Sequence, residues 1–92
     1  MAHHDLKLYN KYFQAVVDCK KRSEVRFDDR GYQIGDTLTL IEGQPGVDGF
    51  EYTGRSISAR ISYIDDYGLQ SGYLSLSLSS VGMLVVKDEV RE

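Results

Sequence analysis

The apolar residues of this chain change period twice, and that change limits what it can fold into. His4-Asp5-Leu6-Lys7-Leu8 alternates polar and apolar residues, as a half-buried strand does. Tyr9, Tyr12, Phe13, Val16 and Val17 then recur at helical spacing and form one apolar stripe. Alternation returns afterwards in segments separated by turns and a glycine-rich loop. The pattern predicts strands at His4–Leu8, Arg22–Phe27, Thr37–Glu42, Arg55–Ile64 and Tyr73–Ser79, and one helix at Asn10–Asp18 with Asn10 as its cap. Met83 to Val86 offers a further short strand before a charged tail. Residues 43–54 hold four glycines and Pro45 and read as a loop. Several short strands with one helix predict an α+β domain: a small open barrel of about five to six strands, with the helix packed at one end or side.

The faces follow from the same alternation. Leu6, Phe13, Val16, Val17, Val25, Leu38, Leu40, Ile57, Ile61, Leu74 and Leu76 are expected in the core, with Ala59 and Tyr63 pointing the same way as Ile57 and Ile61. On 22–27, Val25 and Phe27 share one face, and Arg22, Glu24 and Arg26 share the other. Ninety-two residues suffice for one compact domain, 1–92, with a thin core. No apolar run reaches the ~18–20 residues that span a bilayer. The N-terminus lacks the basic and apolar regions of a secretory signal. Cys19 is the single cysteine, so no intrachain disulfide forms, and a free thiol fits a reducing, cytoplasmic setting.

Net charge is −3, which argues against bulk, non-specific binding to nucleic acid. The charge is uneven, however. Residues 1–30 carry seven basic and five acidic side chains, and residues 31–92 carry four and nine. Metal ligation is not expected, because His3, His4 and Cys19 lack the spacing of a structural zinc site. No phosphate-cradling glycine loop is present, and no cofactor is implied. Cys19 with His4 would be a nucleophile–base pair only if folding brought them together.

The densest functional cluster is Lys21, Arg22, Glu24, Arg26, Asp29 and Arg30. Guanidinium groups grip phosphate bidentately, lysine acts as a mobile point charge, and a carboxylate among them orients the cations or accepts from a base edge. The competing reading is an exposed ion-pair strip on an edge strand.

Lys21-Arg22-Ser23-Glu24-Val25-Arg26 resembles the K-x-x-E-x-R centre of the ASCH motif, usually written G-x-K-x-x-E-x-R, of the PUA-like superfamily. The resemblance extends to a small, uncharacterised ASCH-like subfamily of phage and bacterial chains. Its landmarks are His4-Asp5-Leu6-Lys7, Tyr12-Phe13 with Val16, Asp29-Arg30 with Tyr32, Ile34 and Gly35-Asp36, then Tyr52-Thr53-Gly54-Arg55, and Gly72-Tyr73. They cover about 4–78 and leave 81–92 as a C-terminal extension. Three positions depart from the pattern: Cys19 replaces the motif glycine, Ser23 replaces an apolar residue, and Gly43 stands where tryptophan is common.

The resemblance implies a PUA-like barrel with a cleft between helix and barrel. Lys21, lying in the helix–strand connection, reaches that cleft. The function it implies is a module for RNA or a nucleotide, with Lys21, Arg26 and Arg30 on phosphate, Glu24 among them, and Tyr73 or another tyrosine stacking on a base. The alternative is an amidohydrolase acting on a modified nucleoside, as some small ASCH proteins do with lysine, threonine and glutamate. Here Glu24 occupies the threonine's position, so Lys21 and Glu24 would be the catalytic pair. A third reading is an accessory factor that binds another protein. Residues 83–86 are expected to close the barrel or to pair with a second copy in a homodimer.

Overall fold

The computed structural model describes residues 1–87; the charged tail at 88–92 lies outside them. Among the described residues the order is β1 (His3–Tyr9), α1 (Asn10–Val17), β2 (Ser23–Phe27), β3 (Thr37–Gly46), β4 (Gly49–Asp65), β5 (Tyr73–Ser79) and β6 (Val85–Val86). Over these described residues the chain is α+β, mostly strand, with one short helix. The sheet runs β1-β3-β4-β5-β2, and β6 adds to β4. β1 and β3 are parallel and the other pairs antiparallel.

The ladder does not close. It begins at β1 and ends at β2, so the expected barrel is an open sheet with a seam between those edges. Two side chains cross the seam. Arg26 of β2 donates to the Lys7 carbonyl, and Arg30 Nη1 donates to the Asp5 carbonyl at 2.7 Å. Edge carbonyls that no strand reaches thus find donors in guanidinium groups.

Leu6, Phe13, Val16, Leu38, Leu40, Ile57, Ile61 and Leu76 form the centre, joined by Leu8 and Tyr32 and flanked by Val17 and Leu74. Val25 is a correction: it is 49% exposed, because β2 turns its Glu24 and Arg26 face inward. Tyr63 is another. The β4–β5 register slips between Ile61 and Tyr63, and one extra residue reverses which side chains point in. Tyr63 is therefore exposed, and Ile64 packs on the core instead.

The expected loop at 43–54 is the far end of a hairpin: Gly43 pairs with Tyr52, and Gly46 with Gly49. Pro45 is tolerated there because β1 stops pairing at Gly43, leaving β3 with a ladder on one side only. Gly43 has no room for a Cβ, since the Phe50 ring lies on its backbone.

α1 is capped by Tyr9 without a side-chain bond, not by Asn10. It ends in a Schellman turn, with Lys20 N–H to the Ala15 carbonyl at 2.9 Å and Cys19 N–H to Val16 at 3.0 Å. Cys19 itself takes the left-handed conformation, φ 60°, that the turn demands.

Candidate functional site

The Schellman turn sends the chain from α1 into β2 and delivers Lys21 to the strand's mouth. Lys21 lies in the connection, as expected, because β2 begins at Ser23. Its ammonium bonds the Ser23 carbonyl and lies 3.0 Å from Glu24 Oε1. Arg26 Nε holds the other oxygen, Oε2, at 2.9 Å. Glu24 is 7% exposed, so a nearly buried carboxylate carries a cation on each oxygen. Lys21, Glu24, Tyr12 and Val25 line a cavity of about 260 Å³. Tyr12 is half exposed, and the Lys11 ammonium lies 5.1 Å from its ring centroid.

The expected site residues divide. Lys21, Glu24 and Arg26 come together. Arg30 is engaged at the seam and lies 3.7 Å from Asp29. Tyr73 is not brought to the cluster: it pairs with Phe27, ring centroids 5.4 Å apart, on the face of β2–β5 opposite Glu24 and Arg26. Tyr12 is the aromatic ring beside the cluster. Helical spacing had placed it on the apolar stripe with Phe13 and Val16, but it is 45% exposed and turned toward the cluster.

A second ion pair flanks the other side of α1. Arg55 donates to both Glu42 oxygens, at 2.7 and 2.9 Å, and the Thr53 hydroxyl adds a bond at 2.5 Å. Arg55 also reaches Gln14 Oε1 at 2.9 Å, and its guanidinium lies 5.1 Å from the Phe13 ring centroid. The bonds from Arg55 hold the Glu42 carboxyl below the usual range, against the opposing effect of burial; the same contact raises Arg55. A cavity of about 370 Å³ opens there, lined by Asn10, Lys11, Gln14, Glu42 and Arg55. Sequence reasoning used Thr53-Gly54-Arg55 as a landmark but did not see that the β3–β4 register shift turns Arg55 onto Glu42.

His4 of β1 is buried. Its Nε2–H donates to Asp36 Oδ2 at 2.9 Å, and its ring packs edge-on against Tyr32. The His4 bond, with backbone donors from Ala2 and Gln33, holds the Asp36 carboxyl low. Cys19 is exposed at the end of α1, while His4 Nε2 is engaged by Asp36. Among the described residues no three His, Cys, Asp or Glu side chains gather as a metal site. No described helix is long and apolar enough to cross a membrane.

Comparison with known proteins agrees with the span of these features. An uncharacterized 12.9 kDa protein in the GpA 3' region of Escherichia phage P2 is 48% identical over 63 residues, which cover 68% of this chain and 54% of that protein. The chain thus spans about half the length of the curated relative it matches. Residues 3–78 match the family described as a domain of unknown function, DUF3850, taking in both flanks of α1 and the seam, and the chain belongs to that family.

Proposed function

We propose that this chain is a module that binds RNA or a nucleotide in the cavity beside α1, with Tyr12 against the base, Glu24 toward its edge and Lys21 toward phosphate. One observation carries the reading. A carboxylate that is 7% exposed is fixed by two cations at the wall of a cavity that also presents an aromatic ring. A base offers a face to stack and donors to bind, and its phosphate seeks a cation. In this reading Arg26 and Arg30 brace the seam, because each donates to a β1 carbonyl, and Arg26 also holds Glu24. The scaffold in this reading is an open barrel of the PUA-like, ASCH type, laced by arginines. The exposed Cys19 thiol fits a cytoplasmic protein of phage or bacterial origin.

The direct Lys21–Glu24 contact at 3.0 Å supports a second reading, hydrolysis of an acyl group from a modified nucleoside with that pair as base and acid. Incubating the protein with a panel of short RNAs and modified nucleosides, followed by mass spectrometry, separates the two. Retained ligand without turnover supports the module. Turnover abolished by Lys21→Gln supports the hydrolase. Neither retention nor turnover across the panel contradicts both.

A further inference from the structure

The outer face of β1, β3 and β4 carries features that the cavity beside α1 does not use. Tyr9, Phe50 and Tyr52 form a chain of rings, with centroids 5.4 and 5.2 Å apart. Tyr9 is 45% exposed and Tyr52 58%. The Lys7 ammonium stands 5.6 Å from the Phe50 centroid and 5.9 Å from that of Tyr52. Phe50 is seated where Gly43 has no side chain, so the ridge is a built feature of the hairpin. Tyr52 also forms one wall of a groove of about 340 Å³ floored by Thr39, Ile41 and Ser56 and closed by Val85 and Lys87. Asp5 is the next outward carboxylate along β1, and it faces His3 at 3.3 Å. The groove and ridge therefore bring together aromatic faces, hydroxyl groups and two lysines.

We infer that this face is a second subsite, on which further bases of a single-stranded RNA stack against Tyr52 and Tyr9 while Lys7 and Lys87 meet the phosphates. The inference rests on the nucleotide reading of the cavity beside α1 and extends the ligand from one nucleotide to a strand. The seam links the two places. Arg26 stands at the level of Lys7, so Glu24, two residues earlier on β2, stands near the level of Tyr9, the residue that opens α1. Exposed rings on a sheet with nearby cations suit single strands, because every base has a face to stack and the backbone is anionic.

The test compares a labelled RNA hexamer with a nucleoside monophosphate, using wild type, Tyr52→Ala, Tyr52→Phe and Lys21→Gln. Wild type should bind the hexamer at least about tenfold more tightly than the monophosphate. Tyr52→Ala should lose about tenfold for the hexamer alone, and Tyr52→Phe should restore it. Circular dichroism confirms that each variant is folded, and Tyr52→Leu replaces the alanine variant if that one is not. Equal affinity for both ligands, or a hexamer affinity indifferent to Tyr52→Ala, overturns the subsite while leaving the cavity intact. Hexamer binding that depends on Tyr52 but not on Lys21 overturns the cavity reading and keeps the outer face. No saturable binding of either ligand overturns both.

Discussion

Cys19 shows how one residue carries a cost that the chain could shed. A Schellman turn needs a left-handed residue, which glycine supplies without a Cβ clash and cysteine does not. Cys19 holds φ 60° and its thiol is exposed, so no packing depends on it. Cys19→Gly should therefore stabilise the fold by about 1 kcal/mol, read as a higher urea midpoint with unchanged slope. Destabilisation would mean that the thiol makes a contact the turn requires. The motif had flagged this position from sequence alone, as a missing glycine. Glu42 was not legible in that way. Nothing in the run Thr37 to Glu42 says that its one carboxylate meets an arginine across a shifted register.

Among the elements, β2 separates what alternation can say from what it cannot. Glu24 with Arg26 and Val25 with Phe27 were assigned correctly as sets, but Arg22 lies exposed before the strand, and which set points inward was misassigned. The apolar set was expected inside, and instead Glu24 and Arg26 turn in, because β2 is a sheet edge whose inner face meets α1's flank and the open seam. Two substitutions on this strand test that account. Arg26→Met leaves the Lys7 carbonyl without its donor and Glu24 with one cation, and should cost about 1–3 kcal/mol. Val25→Ala, next to it and exposed, should change stability by no more than about 0.5 kcal/mol. Urea unfolding of both variants decides it, and the reverse ranking would refute the inward carboxylate. β6 was read as either a closing strand or a contact with a second copy; Val85 and Val86 pair with Ser56 and Arg55 of the same chain. A second copy would have to use β6's other edge.

For the molecule as a whole, two buried carboxylates tie distant segments together. Asp36 joins the N-terminus and His4 to the 33–36 turn, and Glu42 joins β3 to β4 and, through Arg55, to α1. Both carboxyls are held below their ordinary values in the fold, Asp36 chiefly by His4 and Glu42 chiefly by Arg55. On acidification the unfolded chain takes up these protons first. Their contribution is therefore present above the ordinary carboxylate range, near pH 4, and lost as pH falls through the lower folded values. Thermal melts of the whole chain should drop steeply below about pH 4, and Glu42→Gln should flatten part of that drop. An unchanged slope in the variant would show that Glu42 is not one of the groups responsible.

The cavity beside α1 tests the whole account, because sequence named its charges and only folding showed which tyrosine joins them. Alternation put Glu24 and Arg26 on one face, and the motif put Lys21 at their end. Tyr12 could be placed beside them only once the turn after α1 was known. Reversing Lys21 to glutamate would set two carboxylates together at a nearly buried site, so glutamine is the substitution that removes the charge alone. Labelled single-stranded RNA should be titrated at several salt concentrations against wild type, Lys21→Gln and Arg60→Gln, the last further along β4 than Tyr52 and bonded to the Gly35 carbonyl. Wild-type affinity should fall with salt at a slope of about −0.7 per phosphate engaged. Lys21→Gln should bind more weakly with a slope shallower by about 0.7, and Arg60→Gln should track wild type. Absence of saturable binding at low salt, or an Arg60→Gln loss equal to that of Lys21→Gln, would contradict the account.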